Sequence, residues 1–536
     1  MPPQALMSAG SPCADQSSQH RNESMPDTVL RTDPRFPLAS RTRNARFPSS
    51  DAQLAGRVEY CLDAEDVAHA LQATLDAGLR PTVRSSGHCY EDFVVNNPNG
   101  AILDVSSLDR VQTDVMGKGS YSLGPGTMLG RAYEQLYKRG GVCIPGGTCY
   151  TVTAGGHISG GGYGTLVRQY GLTVDWVTAI DVVTVDQHGR AVPRRVSKQS
   201  EPHLFRALRG GQGSNFGVIT NFHFDHLPPT PQEVVHASVS WDWKDMTEEK
   251  FVSVLLTYGK WMAENSAKKE TWGLFAGLYL SNKTSGRITM RAELMNPNGP
   301  VTDLSVLYDL CDKLQPCKPL IEKPSTITPN VDDRRGPPPG DSVCYGDRPV
   351  DRQPWLESTL QNQGGSTMAV NRGRAKYKSS YMKANFTEEE ARSFYHVLSD
   401  ESTRGVLVAI DSYGGATNNP DRIHDTAVPQ RSSVMKLQYM SFWGNEADDA
   451  FRLKGIRDLY NNVYSTGSVP EKYKGTPFPG EQYDGCYINY PDADMLQHDF
   501  WPQLYYGTGE LYPFLQQVKR EYDPHNIFHH AMAIQA

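Results

Sequence analysis

Two glycine-rich stretches of this chain each carry one side chain with its own chemistry. His88 directly follows a turn at residues 84–87 (Arg-Ser-Ser-Gly), and Cys149 follows residues 145–148 (Pro-Gly-Gly-Thr). Residues 155–164 then contain six glycines. Because glycine lacks a Cβ and leaves its N–H accessible, such backbone can approach a pyrophosphate closely. The glycines do not follow the G-x-G-x-x-G order of a nicotinamide-binding Rossmann fold, so they predict a phosphate-bearing ligand of another kind.

A tyrosine and a carboxylate form a third candidate group. Tyr487 begins a Tyr-Ile-Asn-Tyr sequence that includes Asn489, and Asp411 and Tyr413 share one face of a strand predicted at residues 406–415. A free tyrosine has a pKa of about 10, so it acts as a base only where donors or charge stabilise its phenolate. Taken singly, each residue also has an ordinary explanation: a hydrogen-bonded structural histidine, a buried cysteine or a packed tyrosine.

Taken together, these motifs resemble the flavin-attachment segments of the berberine bridge enzyme-like oxidases, a branch of the vanillyl-alcohol oxidase superfamily. In that family a histidine bonds to the 8α-methyl group of FAD and a cysteine bonds to C6 of the same ring. The resemblance assigns these roles to His88 and Cys149 and implies a doubly tethered FAD. Ser86 departs from the more frequent Arg-Ser-Gly-Gly-His, and Cys89 and Cys143 do not fall at the attachment spacing.

The resemblance also indicates which residues would surround the cofactor. They belong to the histidine turn, a Pro-Gly-Thr turn, the glycine-rich loop, a Gly-Val-Ile strand start and the Tyr-x-Asn-Tyr motif. In chain order the implied FAD contacts are Arg84, Ser85, Ser86, Gly87, His88, Tyr90, Pro125, Gly126, Thr127, Cys149, Gly155, Gly156, His157, Gly160, Gly161, Gly162, Gly164, Gly217, Val218, Ile219 and Asn489. The cysteines and histidines lack the spacing typical of zinc sites, so no metal is expected.

The same resemblance implies a catalytic base. In the sugar and alcohol oxidases of the family, the first tyrosine of the Tyr-x-Asn-Tyr motif takes the hydroxyl proton while hydride passes to flavin N5. Tyr487 would have this role here, with Asp411 or Tyr413 assisting it and Tyr163 as a second aromatic beside the ring. Members that oxidise reticuline use a glutamate base on the same sheet, and residues 418–419 are both asparagine. These features favour a tyrosine-based alcohol oxidation.

The most similar branch comprises the hexose oxidases of glycopeptide-antibiotic biosynthesis, which share Pro-Gly-Gly-x-Cys, Tyr-Ile-Asn-Tyr-Pro-Asp and Asp-Pro-x-Asn-x-Phe with this chain. We therefore expect hydride transfer to FAD from an alcohol of a sugar, a glycosylated natural product or a related polar metabolite. O2 would be the acceptor, H2O2 the second product, and one or two successive oxidations would occur. Three alternatives stay open: an oxidative cyclase that forms C–C or C–N bonds, a dehydrogenase that excludes O2, and a non-redox descendant.

Composition argues against several other classes. The net charge is −7, and no dense run of Lys and Arg indicates binding to nucleic acid or to an anionic membrane. No apolar stretch is long enough for a membrane span, and the first forty residues lack the apolar segment of a secretory signal. The expected partners are a small-molecule substrate and O2, acting on a monomer or homodimer, in the cytoplasm or outside the cell.

The order of predicted elements indicates an α+β fold. A Pro-rich boundary at residues 228–231 separates a region that, by the resemblance, is a PCMH-type FAD-binding domain from a region in which helices alternate with strands. The latter predicts a substrate domain with an antiparallel sheet covered by helices. The expected organisation is a flexible leader at 1–43, the FAD-binding domain at 44–228, the substrate domain at 229–484 and a C-terminal segment at 485–536. The resemblance implies that this last segment returns to the FAD-binding domain.

Overall fold

The described part of the chain folds around three β-sheets. A computed structural model describes residues 27–113, 120–322, 342–345, 348–361, 373–467 and 469–536. Helices and mainly antiparallel sheets alternate along it, so the predicted α+β class is confirmed. Within the described part of the chain, no helix has the length and apolarity needed to cross a membrane.

The first sheet is built by β1 (Asp27–Leu30), β2 (Arg57–Tyr60), β3 (Pro81–Arg84) and β4 (Ala101–Asp104), in the order β1-β2-β4-β3. β1 is antiparallel to β2, whereas β2 and β3 are both parallel to β4. Helix α1 (Phe36–Ala39) lies between β1 and β2, and helix α2 (Ala64–Asp76) follows β2. The Asp63 carboxylate caps α2 by accepting two backbone N–H groups, a common N-cap arrangement.

The segment before residue 44 is partly ordered, in contrast to the flexible leader expected for 1–43. From Asp27 onward it contains β1 and α1, and Val29 and Phe36 are buried against Val58 and Ile102 of the first sheet. Apolar side chains therefore hold residues 27–43 to the sheet, while residues 1–26 lie outside the described part of the chain. The four domain boundaries given above stay a prediction.

The second sheet is antiparallel, with the order β5-β6-β9-β7-β8. Its strands are β5 (Val111–Gln112), β6 (Tyr121–Leu123), β7 (Ala179–Val185), β8 (Ala191–Ser197) and β9 (Val218–Phe224). Four helices belong to this part of the chain: α3 (Leu129–Gly140), α4 (Ala154–Ser159), α5 (Val167–Tyr170) and α6 (Pro202–Leu208). The predicted glycine-rich loop thus contains a short helix, α4.

The third sheet has nine described strands and is antiparallel throughout. They are β10 (Glu233–Asp242), β11 (Leu274–Ser281), β12 (Arg287–Met295), β13 (Leu320–Glu322), β14 (Ser342–Tyr345), β15 (Arg348–Pro354), β16 (Arg374–Met382), β17 (Val406–Ser412) and β18 (Met435–Trp443). The strand order is β14-β15-β10-β12-β11-β17-β18-β16, and β13 pairs with β10. The antiparallel sheet predicted after residue 229 is therefore present.

Seven further helices complete the fold. They are α7 (Glu248–Asn265), α8 (Ser305–Leu314), α9 (Trp355–Gln361), α10 (Glu388–Leu398), α11 (Asp449–Val463), α12 (Trp501–Tyr506) and α13 (Leu511–Tyr522). After α13 the chain contacts the loop that precedes β9. Lys519 Nζ donates to Asn215 O at 2.7 Å and pairs with Asp523 at 2.6 Å, while Asn215 Oδ1 accepts from Ile534 N. The last residues thus pack against the second-sheet region.

Candidate active site

A cavity of about 540 Å³ lies between the third sheet and the loops of the other two. One wall comes from β3 and the following turn, from residues 147–157 and from residues 212–214. Residues 487–491 form part of the same wall, and side chains of β11, β17 and β18 form the opposite one. The cavity therefore joins the motifs that the sequence had placed far apart.

His88 and Cys149 both lie on this wall and share one neighbour. Thr151 Oγ1 is 2.9 Å from His88 Nε2 and 4.0 Å from Cys149 Sγ. Burial, together with the positive charge of Arg43, lowers the pKa of His88 to about 3. The imidazole is therefore neutral at physiological pH and has one ring nitrogen with a lone pair.

The turn before His88 is anchored from behind. Arg84 is buried, and its Nε forms a 2.6 Å ion pair with Asp104 Oδ2. Gly87 has φ = +75°, a left-handed conformation that favours glycine. Thr153 Oγ1 lies within hydrogen-bond distance of the hydroxyls of Ser85 (2.8 Å) and Ser86 (3.1 Å). These contacts hold two hydroxyl groups and a row of backbone atoms at the cavity wall.

The predicted FAD contacts divide into two groups by position. Those that line the cavity are Arg84, Ser85, Ser86, Gly87, His88, Tyr90, Cys149, Gly156, His157, Gly164 and Asn489. Those that do not line it are Pro125, Gly126, Thr127, Gly155, Gly160, Gly161, Gly162, Gly217, Val218 and Ile219. A Cβ at Gly160 would lie 2.0 Å from Asn489 Oδ1, and a Cβ at Gly164 would lie 1.6 Å from Gly146 O. These two glycines are therefore required by close packing within the protein.

The Tyr487 hydroxyl lies at the inner end of the cavity. Tyr487 is buried, and Asn489 Nδ2 donates to its oxygen at 3.2 Å. Burial raises the pKa of Tyr487 to about 12, while the donors Asn489 and the backbone N–H groups of Gly162 and Tyr163 act in the opposite direction. The donors alone do not make this phenol a base at neutral pH, so a nearby positive charge becomes important.

Lys436, which sequence reasoning missed, supplies that charge. Its Nζ lies 5.6 Å from the ring centre of Tyr487, 4.2 Å from that of Tyr163 and 4.3 Å from that of Tyr490. The side chain is fully buried, and within the described residues Nζ has no hydrogen-bond partner. Burial lowers the pKa of Lys436 to about 8, an effect opposed by Asp411.

Asp411, Tyr413 and Tyr163 occupy different positions around this lysine. Asp411 faces the cavity, pairs in register with Lys436 and places Oδ2 3.7 Å from Nζ. Tyr163 lines the cavity and donates its hydroxyl to Ser412 O at 2.9 Å. Tyr413 lies beneath the lining, stacked on Tyr163, and donates to Gln430 O at 3.1 Å. Its hydroxyl is therefore occupied, so Asp411 is better placed than Tyr413 to influence Tyr487.

Three tyrosines extend from this centre along the cavity. Tyr90 stacks on Tyr377 with ring centres 3.5 Å apart and on Tyr490 at 5.2 Å. Gln438 Nε2 donates to Tyr90 OH at 2.8 Å. Each tyrosine therefore limits the movement of its neighbours, and all three line the cavity.

A buried cluster of charges lies behind these tyrosines. Lys376 Nζ pairs with Glu91 and Asp492, both at 2.6 Å, and Lys378 Nζ pairs with Asp492 at 2.6 Å. Glu91 follows Tyr90, the lysines flank Tyr377, and Asp492 lies two residues after Tyr490. The ion pairs thus fix three distant segments in one arrangement, because breaking one would leave a buried charge without a partner.

The residues around the cavity fit a flavin dinucleotide. The cavity lining brings together Tyr487, His88, the hydroxyl-bearing Ser85 and Ser86, and residues 212–214. A Cβ at Gly156 would meet nothing within 4 Å, so the backbone there is accessible from the cavity. A ligand that combines a flat ring with phosphates matches this combination of aromatic side chains, hydroxyl groups and accessible backbone.

Comparison with known families agrees with this site. The model for an FAD binding domain matches residues 56–192, and the model for berberine and berberine-like proteins matches residues 486–535. The chain is 32% identical to aclacinomycin-N/aclacinomycin-A oxidase of Streptomyces galilaeus, over 94% of this chain and 89% of that protein. It is 30% identical to hexose oxidase of Chondrus crispus, over 96% of this chain and 95% of that protein.

Solved structures of related oxidoreductases are similar to this chain over almost its whole length. Aclacinomycin oxidoreductase superposes with a TM-score of 0.82 at 30% identity, covering 96% of this chain and 100% of the other. A glycopeptide hexose oxidase complexed with teicoplanin superposes with a TM-score of 0.81 at 30% identity, covering 96% and 99%. The similarity extends over nearly the whole chain and includes both walls of the cavity.

Proposed function

Since the chain belongs to the berberine bridge enzyme-like family of FAD-linked oxidoreductases, we propose that it is an alcohol oxidase. The substrate is a sugar, a glycosylated natural product or a related polar metabolite that carries a hydroxyl on an oxidisable carbon. The alcohol loses a proton and a hydride and becomes a carbonyl, and O2 accepts the two electrons and two protons to give H2O2. An aldehyde product that hydrates in the open cavity would undergo a second oxidation to the acid.

The observation that carries this proposal is a buried phenol that lines the cavity and a buried ammonium group that lies beside it, beneath the lining. Lys436 Nζ lies 5.6 Å from the Tyr487 ring centre, and Asn489 donates to the phenol oxygen. Both contacts favour the phenolate, which is the form that can accept a proton. A tyrosine that only packed in the core would not need a buried cation beside it, because such a cation costs desolvation energy.

Each residue of the centre then has a definite task. Tyr487 removes the hydroxyl proton as the substrate carbon releases hydride. Asn489 keeps the phenol oxygen oriented, and Lys436 stabilises the negative charge that forms on it. Asp411 and Gln438 line the same cavity. The Asp411 carboxylate can accept a hydrogen bond from the substrate, and the Gln438 amide can donate or accept one. FAD, when bound, would supply the hydride acceptor and the means of passing electrons to O2.

Two side chains are positioned to tether the cofactor. His88 is neutral, and its Nε2 is engaged by Thr151, which leaves Nδ1 for a bond to the flavin. Cys149 Sγ lies 4.0 Å from the hydroxyl oxygen of the same threonine. We assign the 8α link to His88 and the C6 link to Cys149, as in the family.

The decisive experiment mixes the purified holoenzyme with a panel of alcohols and glycosides in the absence of O2. An alcohol oxidase will lose its oxidised-flavin absorbance with at least one of them, and re-aeration will release one H2O2 for each carbonyl formed. Reduction without peroxide on re-aeration would indicate a dehydrogenase instead. A product with a new ring or C–C bond would indicate an oxidative cyclase.

The two tethers can be tested by mass spectrometry after acid denaturation. We expect His88→Ala and Cys149→Ala each to retain one FAD on the polypeptide, and the double variant to release it, because either bond alone suffices. Cys89→Ala is the matched control, since this cysteine is adjacent to His88 but outside the attachment spacing. Release of free FAD from either single variant would mean that the remaining bond does not form.

A further inference from the structure

The polarity of the side chains that the third sheet contributes to the cavity changes along β17 and β18. These strands are antiparallel neighbours, and every second side chain faces the cavity. From the reactive end outward, the lining residues are Asp411, then Ala409 with Gln438, then Leu407 with Met440, and then Phe442, while Lys436, the register partner of Asp411, is buried beneath the lining. The wall therefore passes from charged, through small and polar, to apolar.

The outer part of this wall is apolar over a considerable length. Because a strand rises about 3.4 Å per residue, Phe442 lies roughly 20 Å from Lys436 along β18. The described third-sheet residues that line this part are Tyr377, Leu407, Met440 and Phe442, and Tyr279 lies at its inner edge, level with Ala409. Among these five, none carries a charge. A polyhydroxylated or ionic group placed there would lose hydrogen bonds to water that the wall does not replace.

The rim of the wall is exposed although it is aromatic. Phe442 is 43% exposed, and its ring packs edge-on against Tyr377 with centres 5.6 Å apart. Met440 and Leu407 are only half-buried, whereas the alternate residues Leu437 and Tyr439 of β18 are fully buried on the other face of the sheet. Contiguous apolar surface of this kind, leading into a cavity, is typical of a ligand-binding surface.

We propose that the substrate is an uncharged alcohol attached to an apolar body, and that the outer wall binds this body while the hydroxyl-bearing end reaches Tyr487. This inference rests on the proposed function, since it places the reacting carbon at Tyr487. Ala409, the smallest residue between the two ends, leaves space for the link between them. Free monosaccharides are then poor substrates, because they cover only the inner end.

The test uses the holoenzyme and four probes: D-glucose and its methyl, octyl and 2-naphthyl β-glucosides. Binding is measured by the perturbation of flavin absorbance in the oxidised enzyme, and turnover is measured by anaerobic reduction. We expect the naphthyl glucoside to bind at least tenfold more tightly than the methyl glucoside, in line with the discrimination of apolar pockets. Met440→Gln should remove about tenfold of that preference. Leu320→Gln, an exposed apolar residue outside the cavity, should not change it.

The outcomes separate this inference from the proposed function. Preferential binding of the naphthyl and octyl glucosides without reduction of the flavin by any alcohol supports the apolar wall and contradicts the alcohol oxidase. Reduction at similar efficiency by all four probes supports the oxidase and overturns the inference. Equal affinity for all four probes also overturns the inference. So does the absence of binding at the highest concentration at which each probe dissolves.

Discussion

Replacing Tyr487 with phenylalanine is expected to slow flavin reduction by an alcohol about a thousandfold, within the range found on removing a general base. The substitution removes the oxygen that Asn489 contacts at 3.2 Å and leaves the ring in place. FAD should stay attached, because His88 and Cys149 are unchanged. The rate constant is measured by rapid anaerobic mixing with saturating substrate, following the loss of oxidised-flavin absorbance.

Tyr413→Phe is the matched control for this variant. Its hydroxyl is also buried, but it donates to Gln430 O at 3.1 Å beneath the cavity lining. We expect the reduction rate to change little, and the loss of one buried hydrogen bond to cost about 1 kcal/mol of folding free energy. A normal rate in Tyr487→Phe would contradict the assignment of the base. A large loss in Tyr413→Phe alone would restore the assisting role that the sequence suggested for it.

The sequence predicted secondary structure well where local signals exist. The strand that the sequence indicates around Asp411 is β17 (Val406–Ser412), and the pattern of alternating helices and strands after residue 229 corresponds to the antiparallel third sheet and its helices. α10 (Glu388–Leu398) has such a local signal, a capping box at Thr387. The ordered segment at 27–43 was missed because its stability comes from burial against a sheet formed by later residues.

The candidate site was predictable only in part, for a similar reason. Tyr487, His88 and Cys149 lie in short motifs, so the sequence alone pointed to them. Lys436 lies in no motif, and it joins the site only through the register that pairs β18 with β17. Its one local signal is a lysine inside an otherwise buried strand. Thr151 likewise acquires its position between two predicted attachment residues only when the loops meet.

Lys436→Met is expected to lower the rate of flavin reduction about a hundredfold. At 5.6 Å and an effective dielectric constant of about 20, a unit charge stabilises a phenolate by about 3 kcal/mol, or roughly two pKa units. Methionine has similar length but no charge, and the lysine it replaces has no hydrogen-bond partner among the described residues. The substitution also leaves the Asp411 carboxylate, whose Oδ2 lies 3.7 Å from Nζ in the wild type, without its partner, so the melting temperature is expected to fall. The double variant Lys436→Met with Asp411→Asn removes both charges and should recover stability while the reduction rate stays low. Recovery of the rate as well would mean that impaired folding, and not the lost charge, slowed the single variant.

The pH dependence of the reduction rate gives an independent measurement of the same charge. Burial lowers the pKa of Lys436 to about 8, so the ammonium is present below that pH and is lost as the pH rises through it. The wild-type rate constant should fall above about pH 8, and Lys436→Met should lack this falling limb. Asp411→Asn removes the carboxylate that opposes the lowering, so it should move the limb to lower pH. If the rate constant of Lys436→Met still falls over the same pH range, another group titrates in that range. The proposal that Lys436 stabilises the Tyr487 phenolate would then be wrong.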